Sequence, residues 1–159
     1  MKKRIIFGIL AFIIGIGISL FSYSFFREQI QNIFLWSTSN RIRFTGKNFY
    51  LFGSNFYSLS IGISLLVLTL ENLNQRLAGI FKNGIICLLT FGISLIGISA
   101  IDANIKVIEC TACDDGMRSL HWNGINYGVI IGISAIISII PSLIKTIKRT
   151  KKASVQHRI

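Results

Sequence analysis

The sequence predicts an all-α membrane protein: a bundle of four transmembrane helices with both termini in the cytoplasm and a small extracytoplasmic cap. Three observations predict it. Apolar residues gather into four runs of the length a bilayer requires, Lys and Arg divide unevenly between the segments joining those runs, and a short Gly-Ile-Ser motif recurs in every run. The class rests on run length. Of 159 residues, 52% are hydrophobic and 14% charged, whereas an average soluble domain carries about 25% charged residues. Crossing about 30 Å of hydrocarbon takes roughly 17 to 25 apolar residues in a helix, and the runs 5–26, 56–73, 84–101 and 124–144 fit that window.

The first helix, 5–26, follows Lys2, Lys3 and Arg4. That order resembles a signal peptide, but a signal core has about 7 to 15 apolar residues, so this longer run is read as a retained anchor. Ala11, Gly15 and Ser19 recur every four residues along it. Lipid tails are as apolar as Ile, so apolarity alone cannot join helices, whereas small residues at this spacing let two backbones approach. They are expected to form a packing seam.

The outer loop 27–55 is expected to hold a surface helix over 29–36 and a short hairpin over 42–52, turning at Thr45-Gly46-Lys47-Asn48. Aromatic residues crowd this side, among them Phe34, Trp36, Phe44, Tyr57, Trp122 and Tyr127. Amphipathic rings favour headgroup depth, and their excess on one face predicts the folded cap.

The second helix, 56–73, carries Gly62 as its seam residue and one charge, Glu71, which is expected to reach toward the headgroups and mark the boundary. The inner connection over 72–83 is short, as an antiparallel helix pair requires. The third helix, 84–101, has Gly92 as its seam residue and Cys87 near its inner end.

The outer loop 102–123 holds the densest chemistry. Cys110 and Cys113 stand in C-x-x-C spacing, with Asp114 and Asp115 beside them and Arg118 and His121 beyond. A local disulfide on the oxidising side of the membrane is the preferred reading. A redox pair is the second, because a neighbouring cation stabilises a thiolate. The chain is similar in scale, and in carrying an extracytoplasmic C-x-x-C, to four-helix thiol oxidoreductases of the vitamin K epoxide reductase and disulfide-bond-formation type. Those families relay electrons through a second cysteine pair. Cys87 precedes Cys110 by 23 residues, on the order of 30 Å of helix, and cannot be that partner. The third reading is a zinc or copper site on Cys110, Cys113 and His121.

The fourth helix, 124–144, places Gly124, Gly128 and Gly132 on one stripe and Ser134, Ser138 and Ser142 on a neighbouring one, with Pro141 near its inner end. The tail, 145–159, is basic and is expected to lie against anionic lipid, at about 1 kcal/mol per basic residue. No aromatic residue or recognition motif accompanies its charges, so no nucleic-acid partner is expected.

Orientation follows from the same charges. With the N-terminus inside, eleven of the seventeen Lys and Arg are cytoplasmic, among them Arg76, Lys82, Lys145 and Lys148, as the positive-inside rule requires. Five of the six acidic residues fall outside.

Walker loops, dinucleotide fingerprints and zinc-protease helices are absent from the sequence. The functional expectation is a small non-enzymatic membrane protein without a resident cofactor. It would act through protein contacts, as an accessory or assembly subunit or an immunity-type protein, with other membrane subunits or a second copy as partner. The alternative is a thiol-disulfide oxidoreductase or metal-binding protein using the C-x-x-C loop. Richness in Ile, Lys and Asn points to a bacterial cytoplasmic membrane.

Overall fold

Long apolar stretches propagate as helix until a turn residue stops them, and the computed structural model has four such helices, the last of which runs through Pro141. It describes residues 2–39, 42–46, 55–73, 75–109 and 118–156, without the side chains of Lys2, Glu109 and 148–156. The helices are α1 (Lys2–Thr38), α2 (Asn55–Asn72), α3 (Leu77–Glu109) and α4 (Tyr127–Gln156). Three segments are long and apolar enough to cross a membrane: Lys3–Thr38, Leu77–Ile108 and Trp122–Ile147. With 18 residues, α2 is about 27 Å long, and its polar ends, Asn55 and Glu71-Asn72, lower its hydropathy below theirs.

Two helices run well past their expected ends. Over 37 residues, α1 extends about 55 Å, so the segment 29–36 is its last turns and not a separate surface helix. Glu28, Gln29 and Gln31 are good helix formers, and nothing stops the backbone before Ser39, which takes a positive φ of 46°. The Thr38 hydroxyl donates to Phe34 O at 2.8 Å inside that final turn. Likewise α3 begins at Leu77 and ends at Glu109, beyond both limits of the expected 84–101. Hydropathy marks the lipid-depth part of a helix, not its hydrogen-bonded length.

Contacts fix the arrangement. Gly8 lies against Leu70 and Gly15 against Gly62, so α1 and α2 are antiparallel. Ser64 Oγ donates to Ala135 O at 2.9 Å and Gly132 lies under Phe56, which makes α2 and α4 parallel. Cys87 Sγ meets Ser138 Oγ at 3.4 Å and Lys145 Nζ meets Asn83 Oδ1 at 2.7 Å, an antiparallel α3–α4 pair. Phe26 packs on Phe91 at 5.2 Å between centroids and Ser37 reaches Ala100 O, aligning α1 with α3. The four therefore form a ring in the order α1, α2, α4, α3. The start of α1, the end of α4 and the α2–α3 connection share one end, here the terminal end.

The packed core sits toward the other end. Tyr23, Ile30, Phe34, Tyr57, Leu95, Ala103, Ile125, Tyr127, Ile130 and Ile131 supply its buried cluster. Above it, the α1–α2 and α3–α4 connections meet as a two-stranded sheet in which β1 (Arg43–Thr45) and β2 (Ser119–His121) run parallel, with Phe44 opposite Leu120 and Thr45 opposite His121. The strand expected near residue 43 is present, and the partner described for it lies in the segment between α3 and α4. Residues 47–52, the return arm of the expected hairpin, lie outside the described residues.

Candidate functional site

At the cap end, the α1–α2 and α3–α4 connections are held by aromatic and hydrogen-bonding contacts that sequence neighbours alone could not make. Phe44 stacks on Trp122 with centroids 4.2 Å apart and planes 12° apart, and its other neighbour is Phe34 of α1, edge-on at 6.4 Å. Arg43 N donates to Arg118 O at 2.8 Å, while the Arg118 guanidinium donates to Val107 O at 2.5 Å. Gly46, at φ +86°, turns the chain directly beneath the His121 imidazole, where a Cβ would collide with the ring. Only a glycine satisfies both the left-handed backbone and the close approach.

Below this sheet, Arg27 is 8% exposed, and its guanidinium carbon lies 5.1 Å from the Tyr127 ring centroid. Tyr127 donates its hydroxyl proton to Trp122 O and accepts from Gln31 Nε2, both at 3.1 Å. Tyr57, fully buried, exchanges a 2.6 Å hydrogen bond with Ser22. The cationic head of Arg27 is thus placed over a ring face, where desolvation strengthens the attraction to about 2 kcal/mol.

The C-x-x-C expectations fall elsewhere: Cys110, Cys113, Asp114 and Asp115 lie outside the described residues. Cys87 is the free cysteine among the described residues. Among them, too, no group of three or more His, Cys, Asp or Glu could hold a metal. His121 Nδ1 accepts from Asn123 N at 3.1 Å and caps the 3-10 turn Trp122–Gly124. That bond leaves Nε2, over Gly46, as the other ring nitrogen.

The seam residues separate into filled and open positions. A Cβ on Gly15 would come within 2.8 Å of Gly62 Cα, and one on Gly62 within 2.9 Å of the Phe12 ring. One on Gly132 would reach 2.5 Å from Phe56 and 3.1 Å from Ser60 Oγ. Ser19 is fully buried, donating to Ile16 O at 2.6 Å with Ser58 Oγ 2.9 Å away. Ala11 is half-buried and Gly128 buried. Gly124 is exposed in the turn before α4, where its nearest neighbour is Leu120 of the adjoining strand. A Cβ on Gly92 would meet nothing within 4 Å, and the same holds for Gly17, Gly84 and Gly97.

A second polar site occupies the terminal end. Asn83 is buried and donates through Nδ2 to Asn72 Oδ1 at 2.8 Å and to Gln75 Oε1 at 3.2 Å, while its Oδ1 accepts from Lys145. Asn72 Nδ2 in turn donates to Leu68 O at 2.8 Å. Glu71, expected to reach outward, instead accepts from the Ser142 hydroxyl of α4, and its other carboxylate oxygen is buried without a partner among the described residues. An inward turn is favoured because Ser142 presents a donor to the carboxylate across the α2–α4 seam. The signal for this cluster was present in Ser142 and Lys145, three apart on one face of the fourth helix, and in two asparagines bracketing the short connection. Chemically it joins three helix ends through side chains of both signs of charge. Compared with protein families, with characterised proteins and with solved structures, the chain matches none.

Proposed function

We propose that this chain is a four-span protein of a bacterial cytoplasmic membrane, both termini inside, that works by binding another membrane-spanning helix and performs no catalysis. The observation that carries the reading is the contrast among its glycines. Gly15, Gly62 and Gly132 each lie against a neighbouring helix, whereas Gly97 is exposed on α3 with open space where a side chain would stand. Thr90 and Gly97 share one helix face at seven-residue spacing, a face bounded toward the cap by Asn104, which donates to Ser37 of α1 at 3.0 Å, and Ile93, Ile101 and Ile108 on its flanks are 63 to 80% exposed. A lipid-facing surface gains nothing from a glycine, while a partner helix gains close backbone contact. The same surface serves an accessory or assembly subunit, an immunity-type protein or a homo-oligomer.

Gly97→Leu is expected to remove co-purification of the partner, or self-association, in mild detergent while leaving the thermal stability of the monomer within about 0.5 kcal/mol, as for a surface change. A wild-type chain that elutes only as a free monomer from its native membrane, with no companion protein, would refute the reading.

A further inference from the structure

Between α1 and α3 the ring opens sideways. The two helices meet from Phe26 and Phe91 toward the cap, but closer to the terminal end they part, leaving a cleft of about 350 Å³ floored by α2 and α4. It extends along α3 from Phe91 to Gly84, roughly 10 Å at the helical rise, at the depth of the apolar runs.

The lining decides what can enter. Its hydroxyls are already engaged: Ser22 with Tyr57 at 2.6 Å, Ser64 with the Ser60 and Ala135 carbonyls at 2.8 and 2.9 Å, and Ser138 with Ala135 O at 2.7 Å. With these hydroxyls bonded, the wall presents hydrocarbon. At the terminal end of the same helices stand Arg76, exposed just before α3, and Lys145 on α4, half-buried with one of its donor hydrogens on Asn83. Among the described residues of that end the one carboxylate, Glu71, is engaged by Ser142. An apolar slot in the membrane below a cationic rim complements one kind of molecule, an amphiphile with a hydrocarbon tail and an anionic head. We infer that the α1–α3 cleft is a binding site for an anionic phospholipid, with one acyl chain between Ile18, Leu65 and Leu88 and the phosphate at Arg76 and Lys145. The site rests on the membrane-spanning reading but not on the partner-helix reading, whose surface is the other face of α3.

The test reconstitutes the full chain in phosphatidylcholine vesicles with a trace of acyl-chain diazirine phosphatidylglycerol, or the matching phosphatidylcholine probe. Adducts after irradiation are mapped by mass spectrometry. Adducts are expected to concentrate on Leu65, Leu88 and Phe91, and to come mainly from the anionic probe. Arg76→Gln or Lys145→Gln, the latter keeping a donor toward Asn83, is expected to reduce them about fivefold each. Gly84→Leu fills the cleft from a position where a Cβ meets nothing within 4 Å and should abolish them, and Leu88→Trp, at a site 71% exposed, provides a second block should the first fail to fold. Adducts spread evenly over the exposed faces of α1 and α3, equal labelling by both probes, or a cleft occupied by a second copy and free of lipid adducts would each overturn the inference. Loss of the partner through Gly97→Leu with cleft labelling intact would leave this site standing.

Discussion

Gly62→Leu is expected to unfold the α1–α2 half of the bundle, lowering stability in mild detergent by about 3 kcal/mol. The site leaves no room for adjustment. Its added Cβ would press on the Phe12 ring at 2.9 Å, and the facing Gly15 has its own Cβ direction aimed at the Gly62 backbone at 2.8 Å, so the helices must separate before any side chain fits. Separation also breaks the flanking contacts, the Ser19–Ser58 pair at 2.9 Å and the Ser22–Tyr57 pair at 2.6 Å. Gly17→Leu, two residues from the same seam but with nothing within 4 Å of a Cβ, is the control and should be close to neutral. Thermal unfolding followed by Trp fluorescence separates the two, and equal behaviour of both variants would contradict this helix pairing.

Asn83→Leu carries the second large effect. One amide there supplies two donor hydrogens, to Asn72 at 2.8 Å and Gln75 at 3.2 Å, and the acceptor for Lys145 at 2.7 Å. Removing it strands the carboxamide oxygens of buried Asn72 and half-buried Gln75 and takes an acceptor from the half-buried Lys145 ammonium, and an unmet polar group out of water costs about 1 to 3 kcal/mol. The expected loss is about 3 kcal/mol, and Asn83→Asp, which keeps the acceptor for Lys145 but sets a carboxylate oxygen against the Asn72 and Gln75 carboxamide oxygens, is expected to recover only part of it. Equal thermal stability of Asn83→Leu and the wild type would show that this cluster ties nothing together.

The sequence made the helices legible and left their limits hidden. Ile and Leu runs report the apolar part of a helix, whereas α1 continues past Phe26 because Glu28, Gln29 and Gln31 are good helix formers without being apolar. The Gly-Ile-Ser motifs are alike in sequence, yet Gly62 and Gly132 are covered and Gly92 and Gly97 are open. Which glycine is covered depends on how each helix is rotated in the ring, information that local spacing does not contain. The parallel pairing of Arg43–Thr45 with Ser119–His121 joins segments far apart in the chain, and its register depends on the Phe44–Trp122 stack and on Gly46 passing under His121. Glu71 was visible as the single charge of its run, but its inward turn required Ser142 from a helix not adjacent in sequence.

The central claim is that α2 crosses the membrane together with the three longer helices. If it does, the chain crosses four times and its ends share a side; if it does not, three crossings place the ends on opposite sides. Single cysteines introduced at Thr45, Asn74 and Ser154 in a chain without Cys87, Cys110 and Cys113, probed on intact cells with a membrane-impermeant maleimide, distinguish these directly. The four-span account predicts labelling of Thr45→Cys alone, with Asn74→Cys and Ser154→Cys labelled only after the membrane is opened. Labelling of Asn74→Cys or Ser154→Cys from outside would contradict it.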